Sequence, residues 1–261
     1  MGDADVNAEL VRSLLREQHR DLADLELREV PGGWDNRMWR LGENLAVRLP
    51  RTPRAPSLLD KERRWLPALA AGLTLPVPEP LRAGRPSPSF PMTWSVVRWV
   101  HGQPADFTPI SDPEAAATLA GFLRALHCKA PTGAPANPDR GVPLRAVQHA
   151  FAPWPEYADS GLSNEVRAVW EQAVAAPEWA DAPVWIHGDL HPANVTVSAG
   201  TLAGVIDFGE MCAGDPATDL AAAWLLLPAG TAEKWERGLP GGKQTWGPAG
   251  WAALERVLAG S

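Results

Sequence analysis

The 261 residues suffice for one large domain or two small lobes, and 45% hydrophobic with 21% charged residues is an ordinary balance for a globular chain. The net charge of −7 argues against a general nucleic-acid binder and would suit a cationic ligand. Cys128 and Cys212 lack a CxxC spacing, so neither a disulfide framework nor a zinc site is suggested; with no signal-peptide run and no bilayer-length apolar stretch, a cytoplasmic protein off the membrane is expected.

In chain order, Leu10, Val11, Leu14, Leu15 and Leu22 recur at helical spacing, predicting an amphipathic helix over 7–22. Three short apolar segments follow, Leu25–Val30, Arg37–Leu41 and Leu45–Leu49. They are separated by Pro31-Gly32-Gly33 and Gly42-Glu43-Asn44, which predicts an antiparallel meander. Ser57-Leu58-Leu59-Asp60 resembles a capping box opening a helix to about Ala71. The Pro-rich tract Pro76–Pro91 is expected to lack regular structure, because each proline removes a donor and fixes φ. Thr93–Val100 then reads as a buried strand, broken by His101-Gly102-Gln103-Pro104, the expected boundary between two lobes.

Beyond the break the chain turns helical. Asp112 and Pro113 are expected to open a helix with Leu119, Phe122, Leu123 and Leu126 on its inner face. Residues 131–143 read as a loop and 144–179 as mostly helical. Val184–Ile186 is a short strand, Val195–Val197 and Leu202–Ile206 form a hairpin, and Asp215-Pro216 starts a helix through Leu227.

The chemistry-bearing residues cluster around that hairpin. His187-Gly188-Asp189-Leu190-His191-Pro192-Ala193-Asn194 carries the Asp-x4-Asn spacing of a kinase catalytic loop, in which the Asp takes the acceptor's proton and the Asn holds magnesium. Thirteen residues after Asn194 comes Asp207, directly behind an apolar strand. Neighbouring strands lie about 4.8 Å apart, so the open end of the hairpin brings Asn194 and Asp207 together as hard oxygen ligands for Mg²⁺. Asp189 is expected to reach the same cavity. A metallohydrolase cluster of His187, Asp189 and His191 finds no second His-rich segment to complete it.

HGDLHPANV, VIDFGE and GDPATDLA, in this order and spacing, resemble the aminoglycoside phosphotransferase family, small-molecule kinases with the two-lobed protein-kinase fold. GGWDNRMWRLGENLAVRLPR resembles the family's nucleotide-covering hairpin, KERRWLP the helix after it, and WSVVRWVHG the strand and linker that meet the base. The resemblance implies an α+β, bilobal, protein-kinase-like fold: a small antiparallel-sheet lobe over 1–101 and a mostly helical catalytic and substrate lobe over 102–261, possibly shortened at its end. It implies Asp189 as catalytic base and Asn194 and Asp207 as Mg²⁺ ligands. Asp215 and Asp219 match a segment expected to cap the next helix and steady the catalytic loop.

Where protein kinases carry a phosphate-pairing Lys, the strand Leu45–Leu49 offers Arg48, with Glu62 on the next helix as its partner. Gly32 and Gly33 are expected to cover the phosphates, and the backbone of Arg98, Trp99 and Val100 to bind the base. Trp34 is expected in the core.

The implied reaction moves the γ-phosphoryl group of ATP or GTP to a hydroxyl of a small molecule, first an aminoglycoside-type antibiotic. Glu156, Asp159, Glu165, Glu171 and Glu178 lie where an amino-sugar site could be built. The alternatives are a macrolide, homoserine, a choline-like alcohol or an amino sugar as acceptor, or an inactive nucleotide-binding pseudokinase.

Overall fold

A computed structural model describes residues 6–112, 114–147 and 162–227. Helix α1 (Ala8–Gln18) is capped by Asn7, whose Oδ1 accepts the Leu10 N–H at 3.0 Å, and it buries Val11, Leu14 and Leu15. It ends four residues short of the expected Leu22, which falls in a separate 3₁₀ turn, Arg20–Leu22. Strands β1 (Leu27–Val30), β2 (Asn36–Leu41) and β3 (Leu45–Pro50) make the predicted meander.

Helix α2 (Ala55–Ala70) begins before the expected capping box. Pro56 takes a place in its first turn, where a missing N–H costs nothing. Ser57 Oγ instead donates to the Arg54 carbonyl at 2.7 Å.

Strand β4 (Pro80–Gly84) corrects the expectation that the Pro-rich tract holds no regular structure. It is tolerated because β4 is an edge strand, Pro80 is its first residue, and the register shifts between Pro80 and Arg82. β5 (Trp94–Arg98) completes the antiparallel sheet, ordered β1-β2-β3-β5-β4. Gly84 makes room for Trp94, whose indole lies where a Cβ would stand. Val11, Leu14 and Leu15 of α1 pack with Trp39, Leu41, Val47, Leu49, Phe90, Trp94 and Val96 into one apolar core.

The remaining elements are β6 (Gln103–Pro104), α3 (Ala115–Leu126), α4 (Leu162–Ala175), β7 (Val184–Ile186), β8 (Val195–Ser198), β9 (Thr201–Val205), β10 (Cys212–Gly214), α5 (Ala217–Leu220) and α6 (Ala222–Leu226). Leu119, Phe122, Leu123 and Leu126 of α3 are buried. Asp112 Oδ1 accepts the Glu114 N–H ahead of that helix at 2.8 Å; Pro113 lies outside the described residues. The single helix expected after Pro216 is two short pieces, α5 and α6. β10 pairs with β7.

The chain divides into two compact units: residues up to Ile110 with Pro192–Glu210, and Ser111–His191 with the chain from Met211. β6, β8 and β9 form a separate three-stranded sheet in that order, and the Val205 N–H donates to the Pro76 carbonyl at 3.0 Å, which ties the β8–β9 hairpin to the segment ahead of β4. Among the described residues no helix is long and apolar enough to cross a membrane, and neither cysteine is in a disulfide.

Candidate active site

In the first unit the site starts from the hairpin. Ser198 pairs with Thr201 around a two-residue loop, and Ala199 and Gly200 have φ of 50° and 81°, as a type I′ turn requires. At the open end Val195 pairs with Val205, and the Ile206 N–H donates to the Asn194 carbonyl at 2.9 Å. Asn194 and Asp207 therefore flank the last rung. Asn194 is buried, and Asp207 adopts a left-handed φ of 61°, a conformation that costs energy for any residue with a side chain.

Arg48 and Glu62 are both buried, and Arg48 Nη1 donates to Glu62 Oε2 at 2.5 Å. Burial opposes the Arg48 charge, but Glu62, Asp207 and Asp35 outweigh it and hold the guanidinium above its ordinary value. Burial pushes Glu62 up, and Asp207 adds to that; Arg48 offsets it only in part. One cation is thus shared among several acids. Glu62 Oε1 is buried and has no hydrogen-bond partner among the described residues. A Cβ on Gly209 would lie 3.2 Å from Asp207 Oδ1 and 3.8 Å from Glu62 Oε1, so this glycine lets the two acids share one corner.

These residues fit a magnesium ion. Asn194 and Asp207 supply an amide and a carboxylate oxygen, the donors a hard cation takes, and the corner keeps an unpaired buried carboxylate oxygen at Glu62.

Gly32 and Gly33, with φ of 93° and 85°, form the turn between β1 and β2. Trp34 is 84% exposed, correcting the expectation that it is core: the turn carries it away from the sheet. Asp35 ends the turn and is held by Thr52 and Arg54, a link that the sequence reading missed.

The segment expected to meet the base, Arg98, Trp99 and Val100, differs residue by residue in what its N–H groups do. The Arg98 N–H donates to the Glu79 carbonyl at 2.9 Å and the Trp99 N–H to the Asn44 carbonyl at 2.8 Å. Both donors are spent within the sheet and its adjoining turn. Among the described residues the buried Val100 has no acceptor for its N–H.

In the second unit, Asp189 follows Gly188, whose φ is 82°. Its carboxylate faces Arg140 Nη2 and His191 Nε2, each at 3.5 Å, and its N–H donates to His187 Nδ1 at 3.2 Å. Asp219, fully buried, accepts the His187 N–H at 2.7 Å, the Gly188 N–H at 2.9 Å, and lies 3.1 Å from His127 Nε2. Burial opposes its charge, yet His127, His187 and the Gly188 N–H hold its carboxyl below the usual range. Asp215 Oδ1 accepts the Ala217 N–H at 2.8 Å at the start of α5, and burial pushes the carboxyl up.

A cavity of about 400 Å³ opens beside Asp189, with Leu144, Val147 and Val174 among its apolar walls and Asp139, Glu178 and Asp215 among its acids. Glu178 already pairs with Arg145 at 2.7 Å. Glu156 and Asp159 lie outside the described residues, as does the side chain of Glu165, while Glu171 is exposed on α4.

An Asp-x4-Asn loop, a hairpin ending in a left-handed Asp, and a buried strand-to-helix ion pair on an antiparallel sheet define a kinase-like phosphotransferase of α+β class. The model of the phosphotransferase enzyme family, APH, matches residues 26–256, and the chain belongs to that family. No curated protein matches its sequence.

Solved structures share the fold. The GDP and kanamycin complex of APH(2")-IIia is 20% identical, over 95% of this chain and 86% of that one, with a TM-score of 0.71. The apoenzyme of macrolide 2'-phosphotransferase MphH from Brachybacterium faecium is 23% identical, over 95% and 88%, at 0.64. The streptomycin-ATP-APH(2")-IIa ternary complex is 18% identical, over 97% and 86%, at 0.61.

Proposed function

We propose that this phosphotransferase moves the γ-phosphoryl group of ATP or GTP to a hydroxyl of a small amine-bearing molecule, in the first place an aminoglycoside-type antibiotic. The observation that carries the reading is the corner where Asp207 stands beside the Arg48–Glu62 pair at the open end of the hairpin. Residues 1–101 cover the nucleotide and residues 102–261 supply catalysis and the acceptor site.

Arg48, kept charged by its acids, pairs with phosphate oxygens, and Glu62 fixes its direction. The turn at Gly32 and Gly33 covers the phosphates, and the Val100 N–H meets the base. Asn194 and Asp207 would hold a magnesium ion, which would supply positive charge against the phosphates. Asp189 takes the proton of the acceptor hydroxyl as its oxygen bonds to the γ-phosphorus, and the bond from that phosphorus to the bridging oxygen breaks. Asp219 grips the two N–H groups preceding Asp189 and so sets the loop.

The acids of the cavity beside Asp189, together with the net charge, support a cationic acceptor. A macrolide-type acceptor is the second reading, favoured by the apolar wall and by the arginines already set on Glu178 and Asp189. Nucleoside-diphosphate release, measured with ATP and with GTP against aminoglycosides, macrolides, homoserine and choline, tests the choice. Aminoglycoside-dependent release that weakens with salt is the expected result. Release with a macrolide or a neutral alcohol alone would move the acceptor. Nucleotide binding without turnover on any of them would make the protein a pseudokinase.

A further inference from the structure

Arg54 belongs to none of the roles above, yet its guanidinium spends all its arms on two distant acids. Nε and Nη2 fork onto Asp35, 3.0 Å from Oδ1 and 2.6 Å from Oδ2, and Nη1 reaches Glu210 Oε1 at 2.8 Å. Asp35 closes the turn that holds Gly32 and Gly33. Glu210 ends the 3₁₀ turn Phe208–Glu210, immediately behind Asp207. The same short segment holds the glycine turn at three more points. Thr52 Oγ1 donates to Asp35 Oδ1 at 2.5 Å, the Arg51 N–H to the Asp35 carbonyl at 2.9 Å, and Arg51 Nη1 to the Gly33 carbonyl at 3.2 Å.

We propose that Arg54 is a positioning residue for nucleotide binding: it ties the glycine turn to the Asp207 segment, so that the phosphate cover and the metal-binding carboxylate are set together. The inference rests on the nucleotide site proposed above.

An isolated exposed ion pair contributes little. This one differs because a planar fork fixes both distance and direction on Asp35, while the third arm is committed to Glu210. Asp35 is mostly buried, with a side-chain exposure of 13% against 55% for Arg54. Its carboxyl is held below the usual range: burial opposes the charge, and Arg54, Thr52 and the nearby Arg48 outweigh it. Asp35 therefore also acts on the charge field of the Arg48 corner. Moving the Asp35 carboxylate moves both the turn and that field, and Arg54 is the group through which Glu210 registers it.

The test is calorimetric Mg-ATP and Mg-GTP affinity, with Tm recorded for every variant. Arg54→Met is expected to weaken binding by about tenfold, within the range of coupled neighbours. Arg54→Lys, which keeps the charge and loses the fork, should recover only part of it. Asp35→Asn and Glu210→Gln should each weaken binding about threefold in the wild-type background; once Arg54 is Met, the Glu210→Gln effect should vanish and the Asp35→Asn effect should shrink to its direct action on Arg48. A Tm loss with unchanged affinity in Arg54→Met would make Arg54 a stability residue and overturn the proposal. So would full, undiminished effects of D35N and E210Q in the Arg54→Met background, because the two acids would then act without it. A wild-type protein that binds no Mg-nucleotide overturns the site reading itself and this inference with it, whereas wild-type binding unaffected by Arg54→Met overturns the inference alone.

Discussion

Glu62 and Asp219 are both acids buried almost completely, one in each unit, and their surroundings treat them oppositely. Asp219 receives two backbone N–H groups and faces His127, so burial is overruled and the carboxyl stays below its ordinary range. Glu62 receives one arm of Arg48, must share it with Asp207 and Asp35, and leaves Oε1 without a partner. A saturated acid is finished as structure. An acid left short in a buried corner marks where charge from outside can be accepted, because an uncompensated buried carboxylate is costly unless something completes it. The difference separates the brace of the Asp189 loop from the corner proposed to receive metal and phosphate.

The comparison can be broken most sharply by turnover. Asp207→Asn keeps a residue tolerated at left-handed φ and removes a hard charge, so the fold should survive. Phosphoryl transfer is expected to vanish, and nucleotide affinity should lose most of its Mg²⁺ dependence in calorimetry. Asp189→Ala should lower turnover by roughly 10²–10⁴ and leave Mg-nucleotide affinity in place. Equal loss of Mg-dependent binding in both would make Asp189 a metal ligand too; undiminished turnover in Asp189→Ala would remove the kinase mechanism.

Next in size is stability. Asp219→Ala strands the His187 and Gly188 N–H groups and should cost about 3–5 kcal/mol in chemical denaturation, the range for breaking a buried charged network. If Asp207→Asn costs as much, the distinction between finished and unfinished acids fails.

The smallest effect sharpens the comparison through pH. A depressed folded pKa means that Asp219 contributes stability above its ordinary value near 3.8, lost as pH falls through the lower folded value. For Glu62 the sign reverses: a raised folded pKa means stability present below its ordinary 4.5 and lost as pH rises toward the folded value. Relative to wild type, the deficit of Asp219→Asn should therefore grow as pH rises from the acid limb, and that of Glu62→Gln should shrink. Tm measured from pH 3 upward at constant ionic strength checks both slopes.

The parts of this site readable in the sequence are those governed by local rules. The β8–β9 hairpin is written in its own turn residues, and the pair Arg48 and Glu62 in the alternation of β3 and the helix after it. What could not be read is non-local. β10 is Cys212-Ala213-Gly214, three residues without a strand pattern, ordered by β7 some 26 positions earlier and by the Pro135 carbonyl, which accepts the Ala213 N–H. The N–H groups of Arg98 and Trp99 are claimed by carbonyls of Glu79 and Asn44. The two arms of Arg54 reach residues 19 and 156 positions away, a distance no local motif encodes. Trp34 misled for the opposite reason: bulk and apolarity argue for burial, and a turn with two left-handed glycines overrides them.

The N-terminal unit is discontinuous, since its last piece, Pro192–Glu210, emerges some hundred residues after Ile110. At ribosomal speed that is a delay of about 5–20 s. Through this interval β6 waits for β8 and the five-stranded sheet waits for Asp207, so the Arg48 corner is assembled in two instalments. A release of the chain before β8 would leave β6, Gln103–Pro104, without the strand that it pairs with. Of the acids that bear on Arg48, Asp207 is thus the last to leave the ribosome.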